Sequence, residues 1–496
     1  MGKNMEAKYR TLYDAKKNEL EILREKSVNS IWKPAFHIHP QFGLLNDPNG
    51  LSYYNGEFHV FYQWFPFDAT HGMKHWAHVK SKDLVNWERL PVALVPVEDY
   101  ESHGAYSGAS FEVDGKLYLY YTGNIKYGGE ERSANQCLAI MDLDGTIVKY
   151  ENNPIIEGVP EGYTGHVRDP KVFRKNGRYY MLLGAQRSDL TGANIVYESA
   201  DAVNWSFKGE LKLELDLPDS VYMFECPDFF ELNGHDVLIV SPQGLKAEGH
   251  DYHNIYNVIY VLGKLDIDSL TFEVQYYQEL EKGFDFYAPQ TFSGKNNERL
   301  LFSWAGMGEV EYPSDKESWA HCLSIPRELT IEKDRLLQNP AQEMKQLRLN
   351  SVGAELILEK EFIEFDNASN RYELEIEINP EDNELFGLEL FASESEGLLL
   401  QFDSSHNTVS LNREKFAAAF GSEFGFVRCA SLVIGDAVKV QVFVDASIAE
   451  IFINNGEVVF TARVFPKENS TGIRVFSAGK LTCNYKKHEL AQGISI

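Results

Sequence analysis

One pattern recurs along the chain and limits its fold more than any other feature: two short apolar strands joined by a tight Asn-Gly or Asp-Gly turn. The first copy starts at Asn46-Asp47-Pro48-Asn49-Gly50, runs through 51–54, turns at Asn55-Gly56 and returns through 58–63. Such a turn between apolar runs signals a β-hairpin, because a type I′ turn needs positive φ at both central residues. A second copy opens at Ser107 and turns at Asp114-Gly115; a third opens at Asp169-Pro170 and turns at Asn176-Gly177. A fourth opens at Glu225-Cys226-Pro227 and turns at Asn233-Gly234, and a fifth opens at Ala288-Pro289 with a looser turn at 295–297. The anchors 47, 107, 169, 226 and 288 stand roughly 60 residues apart, too far for most solenoids and suited to blades of four strands. Units that cannot cover their own faces must stack on one another. The repeat therefore predicts an all-β chain whose larger part is a five-bladed β-propeller.

The rest of the chain divides around that repeat. Residues 1–32 read as an N-terminal helical segment with a loose stripe at Leu12, Leu20, Ile22 and Leu23, closed by Trp32-Lys33-Pro34. The propeller is expected over 33–330. The strand rhythm fades over 331–350, where Leu336, Leu337 and Met344 suggest a linker with a short helix. Strict alternation returns at 372–378 and 438–444, so 351–496 is expected to be a β-sandwich. A second echo, Ser81-Lys82-Asp83-Leu84-Val85-Asn86-Trp87 against Ser199-Ala200-Asp201-Ala202-Val203-Asn204-Trp205, places a Trp where it would pack between blades.

Composition excludes several functions. With 496 residues and a net charge of −27, the chain has no basic tract for nucleic acid or an anionic membrane surface. It has no apolar run of about 18 residues and no apolar signal core at its charged N-terminus, so a cytoplasmic protein is expected. Its five cysteines, Cys137, Cys226, Cys322, Cys429 and Cys483, show no metal spacing and read as free thiols in a reducing compartment. No cofactor and no metal are expected.

Asp47, Asp169 and Glu225 head three copies of the repeat at near-equivalent positions, so a closed ring would bring them to one funnel. Two carboxyls on either side of a sugar linkage are what glycoside hydrolysis needs, with one ionised and one protonated. The neighbours suggest how the two differ. Asn46 and Asn49 amides would keep Asp47 charged, apolar Phe224 and Cys226 would favour a protonated Glu225, and Arg168 would hold Asp169 ionised.

These motifs resemble glycoside hydrolase family 32. They are Asn46-Asp47-Pro48-Asn49-Gly50, Phe61-Tyr62-Gln63, Tyr106-Ser107-Gly108, Arg168-Asp169-Pro170, Glu225-Cys226-Pro227 and Phe286-Tyr287-Ala288. Ile325-Pro326-Arg327-Glu328-Leu329, Val444-Asp445-Ala446-Ser447 and Glu450-Ile451-Phe452 extend the resemblance to nearly the whole chain. It implies a propeller followed by a sandwich, and a retaining mechanism on a β-fructofuranosyl bond. Asp47 would be the nucleophile, Glu225 the acid and then base, and Asp169 a transition-state stabiliser. Around the sugar it would set Leu44, Leu45, Asn46, Gln63, His71, Trp76, Tyr106, Ser107, Arg168, Tyr287 and Trp304. Leu44-Leu45 before Asn46, Trp76-Ala77-His78 and Ala109 depart from the family's usual residues; they leave the acids intact and bear on substrate preference.

His71, Lys74, His75 and His78 crowd one stretch, which reads as a cationic lip able to accept a phosphate on the leaving sugar. Lys74, Arg187 and Lys246 are the candidate phosphate contacts; no Gly-rich phosphate loop exists. The leading expectation is a β-fructofuranosidase on sucrose or sucrose 6-phosphate. The alternatives are an exo-fructanase on short inulin-type oligomers, an inverting arabinanase-type enzyme and a non-catalytic carbohydrate-binding propeller. A small sugar is the expected partner, with a homodimer as a further possibility.

Overall fold

The computed structural model describes residues 8–495 except 129, 130, 219, 366 and 382. Five successive sheets of four or five strands come first, and two sheets of six strands follow. The opening strands of the first five are Gly43–Tyr54, Ala105–Val113, Tyr163–Lys175, Met223–Leu232 and Tyr287–Ser293. Each of these strands contacts the next, and the fifth contacts the first. The chain also fastens this cycle from a distance, because Trp319–Ala320 pairs in parallel with Gly43 and Leu44.

The tight turns are as the residues require. Asn55 and Gly56 take φ of 48° and 80°, and Asn233 and Gly234 take 48° and 82°, so both central residues are left-handed as in type I′ turns. Ser81 and Asp83 fold one polar loop with Asp83 accepting from the Val85 and Asn86 amides, and Ser199 and Asp201 repeat it for Val203 and Asn204. The Trp after each loop reaches another sheet: Trp87 meets Phe302 edge-on and Trp205 meets Tyr120.

Every opening strand carries the same β-bulge. Three steps on it, 45 to 48, 105 to 108, 168 to 171, 225 to 228 and 287 to 290, oppose two steps on its partner. A bulge breaks alternation locally and re-aims side chains. It also corrects the expected equivalence of the acids. Aligning the prolines matches Asp47 to Asp169, but the pairing register matches Asn46 to Asp169 and to Cys226. Asp47 is the second bulge residue of its copy, Asp169 the first, and Glu225 the residue before the bulge.

Residues 331–350, expected as a linker, instead hold strand Arg335–Pro340, paired with Arg327–Glu332 at the outer edge of the fifth sheet. The helical portion is a 3-10 turn, Gln342–Leu347. Near the start of the chain, a 3-10 turn at Leu12–Asp14 precedes helix Glu19–Val28, and Leu20 and Leu23 pack on the first core.

The two six-stranded sheets enclose one apolar core, to which Leu374, Ile376 and Val442 contribute from one sheet and Leu388, Leu400 and Phe402 from the other. Buried charge joins them to the ring of sheets. Glu450 accepts from Arg327 Nε at 3.0 Å and from the Ile325 amide at 2.7 Å. Asp445 accepts from the amides of Ala35, Phe36 and His37. At Gly283 a Cβ would lie 2.3 Å from both Thr461 N and O, because residues 282–285 pair with the edge strand Val458–Arg463. The stretches 444–447 and 450–452 therefore build an interface.

Candidate active site

A cavity of about 300 Å³ opens where the opening strands converge, lined by Asp47 from the first sheet, Asp169 from the third and Glu225 from the fourth. Asn46, Gln63, His71, Lys74, Tyr106, Ser107, Arg168, Tyr287 and Trp304 also line it, as the sequence led us to expect.

Asp47 is held by two converging chains of donors. Lys74 Nζ donates to Asn46 Oδ1 at 2.7 Å, and Asn46 Nδ2 donates to Gln63 Oε1 at 2.7 Å and to Asp47 Oδ1 at 3.1 Å. Gln63 donates in turn to the Ser107 hydroxyl, which donates to Asp47 Oδ2. Glu225 has a different setting. Arg168 Nε donates to its Oε1 at 2.8 Å and Nη2 makes a second contact, while Gln243 Nε2 reaches Oε2 at 2.8 Å and Tyr287 OH donates to the same oxygen. Asp169 sits at φ 66° in the left-handed region, a strained conformation for a side chain with a Cβ. Its Oδ2 accepts from the Cys226 amide at 2.9 Å, and its own amide donates to Thr122 Oγ1.

The electrostatics differ from what sequence neighbours suggest. Burial pushes the Asp47 carboxyl above its ordinary range, and the charge of Glu225 adds to this against the hydrogen bonds from Ser107 and Asn46. Burial likewise raises Asp169 to about 7, despite Arg168, with the charges of Glu225 and Asp47 acting in the same direction. The expectation that adjacent Arg168 holds Asp169 ionised fails because burial outweighs the charge of Arg168, which still pulls Asp169 down. Burial lowers Lys74 to about 7, opposed by Asp47.

Several expected site residues lie elsewhere. Leu44 and Leu45 are buried in apolar packing, since their strand is paired on both sides just before the bulge. Trp76 is fully buried and acts from behind, donating to the Tyr106 carbonyl at 3.0 Å. Only His71 and Lys74 of the expected cationic lip reach the cavity. His75 is buried and accepts from the Leu12 amide, His78 stacks on Phe61 at 4.0 Å, and burial lowers both rings well below their usual range. Lys74 does line the cavity, yet its ammonium is spent on Asn46 and His71. Arg187 is paired with Glu210, and Lys246 is exposed; neither lines the cavity.

Sequence reasoning missed Tyr9, Lys126, Arg132, Gln243, Tyr256 and Glu309, all of which line the cavity. It also missed Thr122, although a register-correct repeat would have found it. Gln63 and Thr122 are the single residues opposite the bulge in the first two copies. The five cysteines are free, and no group of metal-ligating side chains occurs among the described residues.

An all-β chain that sets several carboxyls around one cavity, with hydroxyl and amide donors between them, has the arrangement of a glycoside hydrolase. The family models agree. "Glycosyl hydrolases family 32 N-terminal domain" matches residues 37–340 and "Glycosyl hydrolases family 32 C terminal" matches 334–492, so the chain belongs to glycosyl hydrolase family 32. A sucrose-6-phosphate hydrolase of Staphylococcus xylosus is 39% identical over 489 residues, covering 98% of each chain. One of Bacillus subtilis is 38% identical, covering 90% of this chain and 92% of its own. Among solved structures, sucrose-6-phosphate hydrolase from Lactobacillus gasseri superposes with a TM-score of 0.91 at 35% identity, covering 98% of this chain and 99% of that one. A mutant β-fructofuranosidase of Bombyx mori in complex with sucrose gives 0.84 at 34% identity, covering 97% and 99%.

Proposed function

We propose that this enzyme is a retaining β-fructofuranosidase that cleaves the fructosyl bond of sucrose and of sucrose 6-phosphate. One observation carries the reading: Asp47 and Glu225, from the first and fourth sheets, open into the same cavity with different partners. Asp47, aimed by Ser107 and Asn46, attacks the anomeric carbon. Glu225 gives its proton to the departing glucosyl oxygen, then takes one from the water that releases fructose. Asp169 grips fructosyl hydroxyls as positive charge develops on the ring. Tyr287 suits a group that changes protonation, because a phenol both donates and accepts and can follow Glu225 in either state.

The cyclic contacts of the opening strands support reading the five sheets as blades of a propeller, with 1–32 ahead of them. The shared core of the two six-stranded sheets supports a sandwich over 351–496. Free thiols and a phosphorylated substrate fit a cytoplasmic enzyme.

The test is hydrolysis of sucrose by the purified protein, followed by proton NMR before mutarotation. Retention of the β anomer in the first fructose released is expected. Inversion would overturn the nucleophilic role of Asp47, and no release of fructose from either substrate would overturn the function.

A further inference from the structure

Beside the carboxyls lies a second cavity of about 480 Å³, which shares Lys126, Arg132, Arg168 and Gln243 with the first. Lys126 and Arg132 stand directly opposite each other on adjacent strands, Lys116–Gly128 and Glu131–Met141. Like charges in that position repel. Arg132 Nη1 and Arg168 Nη1 both lie 3.0 Å from His166 Nδ1. Two guanidiniums on one imidazole nitrogen require that nitrogen to accept, so the ring is neutral and its proton sits on Nε2. Arg168 is paired with Glu225; the other two cations have no such pair among the described residues. Arg132 also reaches Asn124 Oδ1 at 3.2 Å, and Lys126 Nζ reaches Tyr9 OH at 2.7 Å; among the described residues neither forms an ion pair. Glu131 also lines this cavity and is exposed.

In a chain of net charge −27, two adjacent cations that face a cavity and have no ion-pair partner among the described residues are arranged for an anion. Glu225 indicates which one. The proton donor lies on the side of the leaving group, and Arg168 and Gln243, which hold Glu225, also line the second cavity. Resting on the fructofuranosidase reading, we propose that Lys126 and Arg132, backed by His166, form the seat for the 6-phosphate of the departing glucosyl unit. Lys74, Arg187 and Lys246 are not that seat. A phosphate dianion takes charge-assisted hydrogen bonds from both cations and relieves their repulsion.

The test uses the full-length protein and compares kcat/KM for sucrose 6-phosphate with kcat/KM for sucrose. Wild type should prefer the phosphorylated sugar. Lys126→Ala and Arg132→Ala should each lower that ratio by about 10- to 100-fold, with Arg132→Lys losing less. Inorganic phosphate should inhibit sucrose hydrolysis by the wild type, a result read without any variant, and inhibit Lys126→Ala less. Equal losses on both sugars in the two alanine variants would overturn the seat. So would phosphate inhibition without preference for the phosphorylated sugar, which would mark a site for the free anion. Cleavage of sucrose with no preference fails the seat alone; cleavage of neither sugar fails the enzyme reading with it.

Discussion

Arg168 Nε lies 2.8 Å from Glu225 Oε1 across 57 residues of sequence, while Asp169, its immediate neighbour in the chain, takes its hydrogen bond from the Cys226 amide instead. The third and fourth sheets thus exchange groups: a side chain of the third positions the acid of the fourth, and an amide of the fourth positions the carboxyl of the third. A fork-shaped cation suits this task because it fixes direction as well as charge.

Replacing that fork should therefore cost activity even if charge is kept. Arg168→Lys is expected to lower kcat/KM for sucrose by about 10- to 100-fold, the worth of one or two charge-assisted hydrogen bonds. Circular dichroism should show an unchanged fold. Wild-type activity in this variant would remove Arg168 from the alignment of Glu225.

Asp47→Asn should lower kcat by ~10⁴-fold or more, since an amide cannot form the fructosyl ester. The spectrum of the folded protein should be retained. Turnover that survives in a preparation free of contaminating enzyme would assign the nucleophile elsewhere.

The position of Lys74 makes a prediction about pH. On the proposed mechanism Asp47 must be ionised to attack, and its raised carboxyl places the acid limb of kcat/KM above the ordinary carboxylate range. Lys74 lowers Asp47, so its removal raises Asp47 further. In Lys74→Met the acid limb should move to higher pH. A limb that stays in place, or moves down, would show that Lys74 acts on Asn46 alone.

Asp169 should cost stability at neutral pH. Its folded value is raised to about 7, so the folded protein holds this proton more tightly than the unfolded chain. The resulting stability is complete below the ordinary carboxylate range and is lost as pH rises through about 7. Asp169→Asn should then raise the thermal midpoint at pH 8 and do so less at pH 5, while hydrolysis falls steeply. An equal effect at the two pH values would contradict this.

Glu450 joins the first five sheets to the two six-stranded sheets by pairing with Arg327 and His37 in full burial. Removing one partner of a buried pair leaves an uncompensated charge, and Glu450→Ala should destabilise by about 3–5 kcal/mol in denaturant unfolding. A loss smaller than about 1 kcal/mol, the scale of an exposed pair, would assign the junction to apolar packing instead.

The turns were legible because Asn-Gly and Asp-Gly state their own backbone geometry, and four such pairs revealed the repeat. The three acids were legible because each sits beside a turn or proline at the head of a copy. Their exact register was not. A bulge adds a residue without altering composition, so matching prolines misplaced Asp47 by one position against Asp169. Leu44 and Leu45, which the resemblance sets around the sugar, are instead buried by strands on either side.

The sequence by itself determined the hairpins, the repeat and the kinds of side chain available, because these follow from local φ preferences and from alternation along a strand. Only the tertiary structure decided which acid Arg168 holds, that burial outweighs it at Asp169, and that Lys126 and Arg132 stand side by side at the cavity. Those outcomes depend on distances across sheets and on how far water is excluded, and neither quantity is carried by the order of residues along the chain.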